Sequence, residues 1–89
     1  MTAAVGKLLE ELDGAKPIWF TGGHVRVDLP SVLQHVADIR EGTPPGPLVS
    51  AAEAIEHAMR NAQPVPLTDQ VRLPREEVDR LAAMLRAAE

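Results

Sequence analysis

Shifted by 47 residues, the chain lies on itself: Ala4 falls on Ala51, Leu8 on Ile55, Leu12 on Met59, Ala15 on Ala62, Pro17 on Pro64, Ile18 on Val65, Phe20 on Leu67 and Thr21 on Thr68. Deleting one residue in the following turn carries the match on through Val25 and Val71, Arg26 and Arg72, Val27 and Leu73, Val32 and Val78, Ile39 and Leu85, and Arg40 and Arg86. The gap falls where length changes are best tolerated, in a turn. A repeat constrains a fold more than any single motif, because each copy must make the same elements and bury the same face. The reading is an α+β protein made by internal duplication of a helix-hairpin-helix (αββα) unit. Repeat 1 spans residues 1–42, a Pro/Gly connector 43–47, and repeat 2 residues 48–89, all within one domain of 89 residues.

The first helix of repeat 1 places Val5, Leu8, Leu9 and Leu12 on one stripe. Gly14, aligned with Asn61, stands where a left-handed residue ends a helix cheaply. In repeat 2, Ser50 and Glu53 read as a capping box, with Glu53–His57 and Glu56–Arg60 as i,i+4 pairs. Gly22-Gly23 reads as a two-residue hairpin turn rather than a phosphate loop, which would need a Lys or a helix directly after it. That register sets Ile18 against Val27, Trp19 against Arg26, Phe20 against Val25 and Thr21 against His24. Ile18, Phe20, Val25 and Val27 then share an apolar face, with Trp19, Thr21, His24 and Arg26 opposite. In repeat 2, a loop of Thr68, Asp69 and Gln70 puts Val65, Leu67, Val71 and Leu73 on one face, and Pro66 restricts that strand to an edge or a brief pairing.

Each hairpin feeds a second helix. Asp28 caps the first, Pro30 sits in its opening turn, Val32, Leu33, Val36 and Ile39 form its stripe, and Gly42 stops it. The other begins near Pro74, carries Glu76 and Glu77 where the helix dipole favours them, and buries Val78, Leu81, Ala82 and Leu85. Neither unit can cover a two-stranded ribbon alone, so the copies are expected to pack about a pseudo-twofold with helices on a small antiparallel sheet.

Composition narrows the function. Hydrophobic residues make up 45% and charged ones 25%, an ordinary globular balance. The net charge of −4, shared equally between the two halves, opposes binding to a phosphate backbone. Cysteine is absent, which removes disulfides and thiol chemistry and suits a cytoplasmic protein. Lys7, Glu10 and Glu11 interrupt the N-terminal apolar pattern, so it does not read as a signal peptide. His24, His35 and His57 match no metal spacing, and the serines, Ser31 and Ser50, sit at helix starts. The expectation is therefore no enzyme, no catalytic residues, no metal and no cofactor. Interest settles on the outer hairpin face, where Trp19 and Arg26 are residue types enriched at binding hot spots and Thr21 and His24 lie beside them.

The segment QVRLPREEVDRLAAMLRA resembles the strand and first helix of ribbon-helix-helix repressors and antitoxins. That likeness implies a DNA-binding regulator using Arg72 and Arg75. Across the chain, the succession of a helix, a segment such as VPLTDQVRL and an amphipathic helix resembles small bacterial coiled-coil proteins related to the DivIVA-associated septation family, which implies scaffolding through self-association. The leading expectation is a cytoplasmic, non-enzymatic adaptor that forms a homodimer and binds another protein through Trp19, Thr21, His24 and Arg26. The alternative is the small DNA-binding regulator.

Overall fold

The apolar stripes become four helices, and the short alternating segments become four strands. In the computed structural model, which describes residues 3–18 and 22–89, the order is α1 (Ala3–Asp13), β1 (Lys16–Pro17), β2 (His24–Asp28), α2 (Leu29–Gly42), α3 (Pro47–Arg60), β3 (Gln63–Pro64), β4 (Gln70–Pro74) and α4 (Arg75–Ala87). The fold is α+β, four helices packed on one small antiparallel sheet of order β1-β2-β4-β3. No helix among the described residues is long and apolar enough to cross a membrane.

The core is aliphatic and continuous. Val5, Leu8 and Leu12 of α1 meet Val32, Val36 and Ile39 of α2, Ile55 and Met59 of α3, and Val78, Leu81 and Leu85 of α4. Beneath them lie Val25 and Val27 of β2 and Val71 and Leu73 of β4. Positions 47 apart are buried together in the first helices: Ala4, Val5, Leu8 and Leu12 in α1, and Ala51, Ala52, Ile55 and Met59 in α3. In the second helices, Val32, Val36 and Ile39 match Val78, Ala82 and Leu85. A helix buries a residue every three or four positions, so two helices that share a stripe present the same face to the core.

Local chemistry starts and stops the elements. Asp28 accepts a hydrogen bond from the Ser31 N–H at 3.1 Å and caps α2, with Pro30 in the first turn where its missing N–H leaves nothing unpaired. At α4 the equivalent position is Pro74, which caps nothing, and Glu76 and Glu77 occupy the first turn instead. The end of α1 differs from expectation. Gly14 does not take a positive φ; the Glu10 carbonyl would stand 2.8 Å from a Cβ there, so close approach rather than handedness favours glycine. Asn61 is right-handed as well and closes α3 by donating its side-chain amide to the His57 carbonyl at 2.8 Å.

Other local pairings shift in the same way. The helix α3 opens four residues earlier than a Ser50 cap would allow, at Pro47 after Gly46, and no side chain caps it. Proline's preset φ starts the turn without a capping box. Glu56 does pair with Arg60 at 2.9 Å, whereas Glu53 approaches Arg40 of α2 at 4.0 Å rather than His57. Leu33 is only half-buried.

The first hairpin takes a different register from the one the turn chemistry implied, and the second carries a longer loop. Lys16 pairs with Arg26 and Pro17 with Val25, and the Ile18 N–H donates to the His24 carbonyl at 3.0 Å. Ile18 therefore does not face Val27, and Arg26 faces Lys16, not Trp19. Gly22 and Gly23 do hold positive φ, +54° and +99°. The expected positions of Trp19, Phe20 and Thr21 lie outside the described residues. In the second hairpin Gln63 pairs with Arg72 and Pro64 with Val71, so Val65 meets Gln70 through its N–H at 2.9 Å. Leu67 is not on the buried face. It is fully exposed, with φ +66°, in a loop held by the Thr68 hydroxyl on the Val65 carbonyl at 2.8 Å.

Candidate functional site

The strands at the middle of the sheet come from opposite halves of the chain. Along their ladder His24 faces Pro74, Val25 faces Leu73, Arg26 faces Arg72, Val27 faces Val71 and Asp28 faces Gln70. Period two sends the valines and Leu73 into the core and turns His24, Arg26, Asp28, Gln70, Arg72 and Pro74 to the other side. All of the helices lie on the apolar side, so the outer side is covered by none of them. Its centre is one row across the four strands, Lys16, Arg26, Arg72 and Gln63.

The charge pattern of that row is unlike the rest of the surface. Of the seven arginines, Arg40, Arg60, Arg75, Arg80 and Arg86 lie in ion pairs with Glu53 or Glu56, Glu56, Asp79, Glu77 and Asp13. Among the described residues Arg26 and Arg72 form no ion pair, though Glu10, Glu11 and Asp28 line the groove beside Arg26 and Glu77 the one beside Arg72. Arg72 instead donates twice to the Gln63 side-chain oxygen, at 2.9 and 2.6 Å, which holds its guanidinium across the sheet. Asp28, the acid on this face, turns its carboxylate to the start of α2.

The sheet edges are closed to strand addition. An antiparallel ladder alternates bonded and non-bonded pairs. Because Ile18 and Val65 donate inward, the residues before them point their nitrogens away from the sheet, and both are prolines, Pro17 and Pro64. Neither can offer an N–H to an incoming strand. What remains available is the face.

Two grooves flank the sheet, in matching positions of the two halves. One, of about 540 Å³, is lined by Lys7, Glu11, Lys16, Arg26 and His35; the other, of about 670 Å³, has Ala54, Ala58, Gln63, Arg72 and Leu81 at the equivalent places. In the first, Glu11 Oε2 is buried without a hydrogen bond, 4.0 Å from His35 Nε2, and Ser31 Oγ lies 3.4 Å from that same nitrogen. Both groups address one ring nitrogen, so this is not the arrangement in which an acid orients one nitrogen and the other activates a hydroxyl.

Of the residues singled out from sequence, Arg26 stands exposed at the centre of the outer face and His24 is half-buried at its end. Trp19 and Thr21 lie outside the described residues. Arg75 does not face outward with Arg72: its guanidinium donates to the Ala15 and Asp13 carbonyls at 3.1 and 3.2 Å, tying α4 to the end of α1. Sequence reasoning missed Lys16 and Gln63 as members of the face. No protein-family model matches the sequence, no curated protein matches it, and no solved structure matches its fold.

Proposed function

We propose that this chain is a non-enzymatic protein-interaction module, built by duplication of an αββα unit, that presents the uncovered face of its sheet to another protein. The observation carrying the reading is the pair Arg26 and Arg72, arginines without carboxylate partners among the described residues, opposite each other on the face no helix covers. Arginine is enriched at interface hot spots, where it contributes both a planar donor array and a broad contact surface.

Hydrogen bonding supports the duplication. Shifts of 47 residues before the first loop and 46 after it carry Lys16↔Arg26 onto Gln63↔Arg72, and Pro17↔Val25 onto Pro64↔Val71. They carry the Gly14 N–H bond to Glu10 onto the Asn61 bond to His57, and the Leu29 N–H bond to the Asp69 carbonyl onto the Arg75 bond to Gly23. The central ladder maps onto itself, with Arg26 and Arg72 at the axis. Two unrelated segments have no physical reason to share a register residue by residue.

A homodimer through this face would set the same row of cations against itself, so the partner is a different protein. The test is a photo-crosslinking amino acid at Gln63, on the outer face, and separately at Asp38, exposed on α2. In an extract of its own cells, position 63 should yield discrete adducts with another protein that position 38 does not. Adducts common to both positions, or only chain-to-chain adducts, would refute the reading.

A second reading has one observation in its favour. β2 and β4 form an antiparallel ribbon, and each leads straight into a helix, at Leu29 and Arg75, as in the ribbon-helix-helix proteins that the C-terminal segment resembles. Such a ribbon enters a major groove about 12 Å wide, and here β1 and β3 widen it to a sheet of roughly 14 Å before side chains are counted. With the net charge of −4, this favours protein over DNA.

A further inference from the structure

Resting on the reading of the outer face as an interface, we infer that its partner is an acidic protein segment, with Asp or Glu side chains interleaved with aliphatic ones and a carboxylate shared between Arg26 and Arg72. Like charges directly opposite on neighbouring strands repel, and neither guanidinium is held in an ion pair among the described residues. Lys16 extends the row beside Arg26 and has no ion pair among the described residues either. Three cations thus stand on three adjacent strands of a chain whose net charge is −4 and whose other arginines are all matched. A guanidinium binds a carboxylate with two parallel hydrogen bonds, and the Gln63 side chain already holds that of Arg72 in place.

The aliphatic half of the partner follows from what borders the cations. Beside Arg72 a shallow depression of about 330 Å³ is lined by Ile18, Gln63, Pro64, Val65 and Pro66, apolar but for the amide. A purely acidic chain would leave it wet, whereas a leucine-sized side chain next to a carboxylate fills it. The occupant lies across the face rather than along an edge, because Pro17 and Pro64 close the edges. A second copy would repel through the same cations, and a nucleic acid needs more cations than this row holds.

The experiment titrates the full chain into a fluorescent peptide of alternating glutamate and leucine, a lysine–leucine counterpart and a short DNA duplex, reading anisotropy at low and raised salt. Three proteins are compared: the parent, Arg26→Gln with Arg72→Gln, and Arg40→Gln with Arg60→Gln, which removes equal charge from the α2–α3 surface. Matching circular dichroism spectra and a cooperative urea transition establish folding of each. The glutamate peptide should bind one per chain, at least about tenfold more weakly to the sheet variant, unchanged in the control and weaker in salt. The lysine peptide should not bind. Equal binding by all three proteins, no binding of the glutamate peptide, tighter binding of duplex, or a dimer lost only in the sheet variant would overturn the inference. If face-specific crosslinks persist while the peptide fails, the interface stands and the acidic chemistry does not.

Discussion

Arg26 lies directly opposite Arg72 across the central ladder, the position where the two halves of the sheet meet. Cross-strand neighbours stand close enough that opposed like charges cost about 0.2–1 kcal/mol. Replacing Arg26 with Gln should therefore raise the stability of the isolated protein by up to about that amount. Urea denaturation would show it as a higher midpoint, with the gain shrinking as salt is added. A lower midpoint at every ionic strength would mean that the guanidinium packs rather than repels.

Leu8 and Ile55 occupy equivalent places in α1 and α3 and are both fully buried. Truncating either to Ala removes three methyl-sized groups and leaves a cavity, at a cost of about 2–5 kcal/mol. The two variants should fall within roughly 1 kcal/mol of each other, and each should unfold the whole chain in one transition, because one continuous core joins the four helices. Separate transitions would show that the halves hold together independently.

Leu67 makes the opposite case. Its φ of +66° places a bulky side chain in left-handed backbone, and that side chain is fully exposed, so no packing repays the strain. Leu67→Asn keeps the loop and suits the conformation. It should stabilise the protein by about 0.5–1 kcal/mol, measurable as a rise in thermal midpoint. No rise would mean that the loop relaxes to negative φ in solution.

The inferred duplication makes the last turn of α4 and the first turn of α1 equivalent to the joined ends of α2 and α3. α2 runs into α3 through residues 43–46, and under the pseudo-twofold the end of α4 stands to the start of α1 as α2 stands to α3. Packing agrees in that α1 lies against α4 as α2 lies against α3. A circular permutant that joins Glu89 to Met1 through a copy of Thr43-Pro44-Pro45-Gly46, and opens the chain between Pro45 and Gly46, should fold to the same circular dichroism spectrum. Its stability should lie within about 2 kcal/mol of the parent, the scale on which connector changes act. An unfolded permutant would overturn the symmetric placement.

The stripes of α1, α2 and α4, the Asp28 cap and the inward side of β2 and β4 were legible in sequence because each depends on residues within a turn or two. Valine and leucine at alternate positions choose a face whatever the strand pairs with, and an aspartate three residues before a free N–H caps it in any context. Register is another matter. The outer hairpin ladders are two residues long, too short to dictate their own alignment against helices that bury an entire core, so Arg26 met Lys16. The central ladder joins segments 46 residues apart, and only the packing of both halves on one core could bring Arg26 to Arg72. Sidedness was local and lay in the chain itself; the meeting of the two arginines, and with it the candidate site, depended on long-range contacts that no stretch of sequence contains alone.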